Sequence, residues 1–251
     1  MEIRRNKMVE LIREKGSISF AKLKEHFSDI SEMTLRRDLE ELDQSGQIVR
    51  VHGGAKSVDS VVKFSEDLYL NRSIKNADGK RLIANKAIQL LHAKQSIYID
   101  SGATTTNFCK FLPDNQFVIA TSGLTCAIEL SRLSSSIVYM LGGRLYSTSL
   151  CVNGTQSIRM IDDMNFNIAF FGATGFSKEM GFTVNVAEDY ELKKAIIKKA
   201  QKIVVLMDSS KIGKEATYTY ARLEDVDVLV SDDQLSDDLV NYIKEKGVEV
   251  Y

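Results

Sequence analysis

Five short stretches of the sequence carry side chains able to hold a small anion. They read DSGATTT (Asp100–Thr106), TSG (Thr121–Gly123), LGGR (Leu141–Arg144), FGATG (Phe171–Gly175) and DSSK (Asp208–Lys211). Their small residues let a ligand approach the backbone, and their serines and threonines supply hydroxyls. SGATTT at a helix start offers a phosphate-sized nest of N–H groups at the positive end of the helix dipole. Arg144 and Lys211 can neutralise an anion, and Asp100 and Asp208 can accept hydrogen bonds from sugar hydroxyls. A different chemistry sits near the N-terminus. SEMTLRRDLEEL (Ser31–Leu42) holds two adjacent arginines, and arginine can pair bidentately with guanine or clamp a phosphate.

The arginines need a helix that turns them outward. On a helical wheel Leu35, Leu39 and Leu42 fall within roughly 60° of one another and form a buried stripe. Arg37 then points nearly opposite, with Met33 beside it and Thr34 and Arg36 on the flanks. A recognition helix has this arrangement, because its N-terminal residues meet base edges in the major groove. Upstream, Met8, Leu11 and Ile12 line a first helix that Gly16 stops. Ser19 caps a second helix with Ala21, Leu23 and Phe27 as its apolar side, and Ser31 caps the third. Gly46 ends that helix, QIVRV reads as a strand, and Gly53-Gly54 signals a hairpin turn. The spacing is that of a helix-turn-helix followed by a β-hairpin wing. Arg50 and His52 lie on one wing strand and Lys56 beyond the turn, placed to touch the phosphate backbone or minor groove. Asp38 and Glu41 would repel phosphate, so they are expected to orient arginines or face other protein groups.

The anion-holding stretches need a different scaffold. Residues 57–75 are polar and aperiodic and read as a linker between a domain at 1–56 and one at 76–251. RLIANKAIQLL is an amphipathic helix. After it the strand-like runs SIYID, FVIAT, IVYML, NIAFF, KIVVLMD, DVDVLV and VEV are interspersed with helices. This pattern predicts a Rossmann-like, mostly parallel α/β sheet with helices on both faces. The stretches that follow its strands then converge on one crevice at their C-terminal ends.

The totals narrow the function. Hydrophobic residues make up 44% and charged residues 27%, which suits a soluble globular chain. No apolar run reaches the roughly 18 residues of a membrane span, and no signal peptide is evident, so the expected location is the cytoplasm. Cys109, Cys126 and Cys151 are far apart and the chain has only three histidines, which argues against a disulfide framework or a structural metal. The cysteines read as core fillers, and no cofactor is expected. Net charge is -1, and residues 1–56 are only slightly basic, so a DNA-binding reading rests on where the charges sit.

SEMTLRRDLEELDQSGQIVRVHGGA resembles the winged helix-turn-helix signature of DeoR-family transcription regulators. Ser31, Thr34, Arg36, Arg37, Asp38, Leu39, Leu42, Gly46 and the run Arg50 to Ala55 all match. With the wheel geometry this gives a DNA-binding set of Ser31, Met33, Thr34, Arg36, Arg37, Arg50, His52 and Lys56. The order DSGATTT, TSG, LGGR, FGATGF, a helix from Glu188 to Lys193 and DSSK is similar to that family's effector domain. That domain resembles ribose-5-phosphate isomerase in fold. The resemblance implies a phosphorylated sugar or related metabolite as ligand. Asp100, Ser101, Gly102, Thr104 and Thr105 would line a phosphate loop, with Thr121, Ser122, Gly143, Lys193, Asp208 and Lys211 around the rest. The chain departs from the family pattern at Asn167, usually Asp, and at Thr121-Ser122-Gly123, usually Thr-Asn-Ser.

The leading expectation is a non-enzymatic repressor of a sugar or carbohydrate operon, released from its double-stranded operator by that effector. It should act as a dimer or tetramer, because helix-turn-helix proteins read repeated half-sites. The alternative is a sugar-phosphate isomerase with a DNA-binding appendage. It needs a carboxylate base and a matched acid, for which Asp100, Asp208 and Glu188 are the candidates. NFNIAFFGATG offers no carboxylate where such isomerases carry an acidic pair. A third reading is a DNA-binding scaffold whose second domain binds nothing.

Overall fold

A computed structural model describes residues 2–45, 47–51, 53–57 and 69–251. The chain divides into two compact units, Met1–Asp67 and Leu68–Tyr251. In the first unit, α1 (Glu2–Lys15) is followed by β1 (Ser17–Ser19), α2 (Phe20–His26), α3 (Glu32–Gln44), β2 (Ile48–Val51) and β3 (Gly54–Ser57). The strands form an antiparallel sheet in the order β1-β3-β2. Met8, Ile12, Leu23, Leu35, Leu39 and Leu42 meet Ile18, Ile48 and Ala55 in one core. The leucine stripe read from the wheel is therefore the buried face of α3. Ala21, read on the apolar side of α2, is exposed, while Leu23 and Phe27 pack inward. Gly54 is dictated by β1, since a Cβ there would lie 2.2 Å from the Ile18 carbonyl oxygen.

The second unit opens with α4 (Tyr69–Ile74) and α5 (Ala77–Ile88), then β4 (Ser96–Ile99), α6 (Ala103–Phe111), β5 (Val118–Thr121), α7 (Leu124–Leu130) and β6 (Ile137–Met140). A hairpin of β7 (Arg144–Tyr146) and β8 (Cys151–Asn153) leads to α8 (Thr155–Ile161) and β9 (Ile168–Gly172). Next come β10 (Gly175–Ser177), β11 (Gly181–Val184), α9 (Ala187–Ile197) and β12 (Ile203–Leu206). The chain closes with β13 (Tyr218–Ala221), β14 (Val228–Val230), α10 (Asp237–Glu245) and β15 (Glu249–Val250). Two findings depart from the sequence reading. The segment read as linker ends in a helix, α4, whose Tyr69 is buried and donates its N–H to Thr148 O at 2.9 Å. A three-stranded antiparallel sheet, β10-β11-β13, was also not anticipated.

The main sheet has seven strands in the order β15-β14-β12-β9-β4-β5-β6, every neighbouring pair parallel. Alternation along each strand fills two cores. Ile97, Ile99, Ile168 and Phe170 face Ile83 and Ala87 of α5, Phe108 of α6 and Leu130 of α7. Tyr98, Ala169, Phe171 and Val205 face Leu192 and Ile196 of α9 and Ile243 of α10. From β4 the chain builds outward through β5 and β6, then re-enters on the other flank of β4 as β9 and builds the opposite way. The point where strand order reverses lies between β4 and β9, where open α/β sheets hold their ligands.

Candidate DNA-binding face and effector site

Ser31 caps α3 by accepting the Thr34 N–H at 3.2 Å, and the two hydroxyls lie 2.9 Å apart. Beyond this cap Met33 is 82% exposed, and Arg36 and Arg37 stand outward. Arg36 lies over the Phe20 ring, 4.3 Å from its centroid. Among the described residues Arg37 reaches toward Glu41, at 3.5 Å. Asp38 points the other way. It is 1% exposed and accepts from Arg4 at 2.6 Å and Arg5 at 2.9 Å on α1, and Arg5 also pairs with Glu41 at 2.5 Å. Asp38 and Glu41 thus bind α1 to α3, while Arg36 and Arg37 stand outward on the same helix as the exposed Glu32, Glu40 and Asp43. Arg50 is exposed on β2, its backbone N–H held by Asp43 at 2.9 Å. Lys56 belongs to β3. Gly46 and His52 lie outside the described residues.

In the second unit the loops after the parallel strands meet at one edge. After β4, Asp100 is 1% exposed, and its Oδ2 accepts the Gly172 N–H at 2.9 Å and the ammonium of Lys193. Lys193 comes from α9, is itself buried, and lies 3.8 Å from Asp189. Burial alone would depress this ammonium, but the charges of Asp100 and Asp189 outweigh it and raise its pKa. Lys193 is therefore a buried partner of Asp100, set behind the loop. Gly102, with φ +135°, starts α6 without a side-chain cap. The hydroxyls of Thr105 and Thr106 donate to its carbonyl at 3.0 and 2.7 Å, and Thr104 is half-buried beside them. After β5, the Thr121 hydroxyl accepts the Gly123 N–H at 3.1 Å, and Ser122 shares a 3.1 Å hydrogen bond with Tyr98. After β6, Gly143 has φ +140° and packs where a Cβ would lie 2.6 Å from Asn153 O. Arg144 is exposed, 5.3 Å over the Tyr146 ring. The Tyr146 hydroxyl beside Glu188 lowers that carboxyl's pKa.

After β12, Asp208 is 1% exposed and caps the short helix Ser209–Lys211 by accepting the Ser210 N–H at 3.1 Å. Two lysines lie within electrostatic reach of it, and the Lys80 ammonium donates to the Lys75 carbonyl. Burial pulls Lys211 below the usual lysine pKa against the attraction of Asp208, and Lys214, Arg72 and Lys80 push it further down. Lys80 of α5 is 4% exposed and lowered for the same leading reason, with Asp208 and Asp232 opposing and Arg72 and Lys75 reinforcing. Asp232 accepts from Asn76 at 2.8 Å and from the Ser209 N–H at 2.9 Å. Desolvated cations crowded around few carboxylates attract an anion. The sequence reading named Asp208 and Lys211 and did not name Lys80 or Arg72. A lysine on an amphipathic helix reads as solvated, and Arg72 sits in the segment read as linker.

Asn167 lies at the opposite, N-terminal end of β9, where its Oδ1 accepts the Ser96 N–H at 2.9 Å. That departure from the family pattern is structural and does not touch the ligand loops. Among the described residues no group of three or more His, Cys, Asp or Glu side chains could hold a metal, and no helix is long and apolar enough to cross a membrane. The three cysteines are buried and free.

Comparison with known proteins agrees with this division of labour. Residues 4–61 match the DeoR-like helix-turn-helix domain, and residues 75–233 match the DeoR C-terminal sensor domain. The chain is 32% identical over 248 residues to the HTH-type transcriptional regulator GlpR of Haloferax volcanii, covering 98% of this chain and 96% of that one. It is 31% identical to the HTH-type transcriptional regulator GolR of Listeria innocua, with the same coverage of 98% and 96%. Ribose 5-phosphate isomerase A from Neisseria gonorrhoeae overlaps 53% of this chain and 52% of its own, at 16% identity and a TM-score of 0.39. The relatives at full length are regulators and not enzymes, and from the arginines of α3 to the lysines beside Asp208 the chain belongs to the DeoR family of DNA-binding transcription regulators.

Proposed function

We propose that the protein is a repressor of a carbohydrate operon, released from its operator by a phosphorylated sugar or related metabolite. Arg36 and Arg37 of α3 read bases or clamp phosphates in the major groove, and Arg50, His52 and Lys56 of the wing hold the backbone. The effector binds at the C-terminal edge of the parallel sheet. Its phosphate is drawn by Lys80 and Lys211, the start of α6 lies beside the rest of the ligand, and Arg144 sits at the rim. The operator is read by paired copies of the chain.

The observation that carries the reading is the group of Lys80 and Lys211 around Asp208, where burial depresses both ammoniums. A bound anion would restore their charge balance, and that differential affinity is what can shift a two-state regulator. The Tyr146 hydroxyl lowers the pKa of Glu188 and Lys193 pairs with Asp100, so neither carboxylate is tuned as the base an isomerase requires. The test is the melting temperature of the full chain against inorganic phosphate and a panel of sugar phosphates, with turnover followed in parallel. A rise in Tm without turnover is expected. No rise with any phosphorylated compound would contradict the effector reading, and turnover would restore the isomerase.

A further inference from the structure

Two buried oxygens at the ligand edge of the sheet accept no hydrogen bond from the described residues. One is Asp100 Oδ1, whose sister oxygen takes both Gly172 N–H and Lys193. The other is Oδ1 of Asn153, the last residue of β8, which is fully buried while its Nδ2 donates to Cys151 Sγ at 3.4 Å. Buried acceptors left unpaired are rare in folded proteins, and each calls for a reason.

Both oxygens belong to one polar wall. β8 is tied to the end of β5 by the Val152 N–H on Ser122 O at 2.8 Å and by pairing of Cys151 with Gly123. The Cys151 thiol lies between Ser149, at 3.0 Å, and Asn153, and Ser101 is near enough to oppose the rise in its pKa. Burial and then the nearby charges of Asp189 and Asp100 push that thiol up to about 11, so it stays neutral. The wall thus presents acceptor oxygens, with Lys193 balancing the charge of Asp100 from behind, where the group around Asp208 presents cations. β12 and β4 are separated by β9 alone. At ordinary strand spacing the end of β12 is about 10 Å from that of β4 and about 14 Å from that of β5, a span that an extended sugar phosphate can bridge when a lysine side chain reaches toward its phosphate.

We infer that Asp100 Oδ1 and Asn153 Oδ1 accept hydroxyl groups of the effector, and that Asn153 is the residue that selects a polyhydroxylated carbon chain over a bare phosphate. The assignment rests on the sugar-phosphate reading of this unit. Acceptor oxygens beside a carboxylate favour hydroxyl donors and repel a second anion, so the recognised class is a phosphorylated polyol or sugar whose hydroxyls lie remote from the phosphate. A site built to hold a hydroxyl rejects the analogue that lacks it, because its own acceptor is then left unpaired.

The test is a titration of the full chain, by thermal shift, with inorganic phosphate, ribose 5-phosphate, 2-deoxyribose 5-phosphate, fructose 6-phosphate and sorbitol 6-phosphate. Wild type is compared with Asn153→Val and Asn153→Thr, which share a shape and differ by one oxygen. Wild type should prefer at least one hydroxylated phosphate over inorganic phosphate. Asn153→Val should weaken that ligand about tenfold or more, leave inorganic phosphate unchanged, and be partly rescued by threonine. If the valine variant does not fold, Asn153→Ala must show the same selective loss. An unchanged preference in the folded valine or alanine variant overturns the assignment, as does a wild type that binds inorganic phosphate as well as any sugar phosphate. Failure of every phosphate to bind overturns the sugar-phosphate reading itself, and the role of Asn153 with it.

Discussion

The guanidinium of Arg36 lies 4.3 Å from the centre of the Phe20 ring, so the first residue of α2 holds one of the two arginines that α3 turns outward. Its neighbour Arg37 is 80% exposed at the side chain and reaches toward Glu41 at 3.5 Å. One arginine is thus preset and the other is free to search for a base or phosphate.

Arg37→Ala should cost about 1–3 kcal/mol of operator binding, the range for one good base contact. It touches no core residue, so Tm should not move. Fluorescence anisotropy on an operator fragment measures the first and a melting curve the second. Full operator affinity in the folded variant would remove Arg37 from the interface.

The wing is expected to act on phosphate. Arg50→Ala should weaken binding to all DNA and lower the slope of log affinity against log salt by about one unit. A change confined to preference among operator bases would mean that the wing reads sequence.

Gly54→Ala should unfasten β1 from β3, because the added Cβ would lie 2.2 Å from the Ile18 carbonyl oxygen, a backbone atom that cannot swing away. The expected result is a lower Tm of the first unit and weaker operator binding, with sensor-unit melting unchanged. An undisturbed first unit would show that this close approach is not required.

Removing Lys193 leaves the buried Asp100 uncompensated, at a cost of about 3–5 kcal/mol, and removing Asp100 leaves Lys193 with Asp189 at 3.8 Å, a smaller loss. Urea unfolding of the sensor unit should show these losses in Lys193→Met and Asp100→Asn respectively, and a loss smaller than their sum in the double variant. Strict additivity would mean the two groups do not act as a pair. The folded-state pKa of Lys193 is raised, so its contribution is complete below the ordinary lysine value and is lost as pH climbs through the raised one. Lys80 and Lys211 are depressed instead, so affinity for phosphate should fall on the alkaline side earlier than it would for ordinary lysines.

The regular patterns were legible and the short or tertiary ones were not. Leu35, Leu39 and Leu42 announce α3 by period, and apolar runs such as Ser96–Ile99 announce the parallel strands. β1 is three residues, Ser-Ile-Ser, too short for a period and strand-like only because β3 lies beside it. The sheet β10-β11-β13 is hidden because two of its strands form a tight hairpin inside a glycine-rich stretch and the third comes from beyond α9 and β12. The composition of the loops after the parallel strands could be read from the sequence, and the fold brings these loops to one edge of the sheet. The pairing of Asp100 with Lys193 and the approach of Lys80 to Asp208 could not, since each joins residues distant in sequence.

The central claim is that an anion held near Asp208 controls the DNA affinity of α3. The direct measurement is operator binding by anisotropy, titrated with sugar phosphates, for wild type, Lys80→Ala and Lys211→Ala. All three proteins should bind the operator equally without effector, and only wild type should release it, leaving the variants as repressors that cannot be induced. Variants that let go of the operator at wild-type effector concentrations, or a wild type that no sugar phosphate releases, would contradict the account.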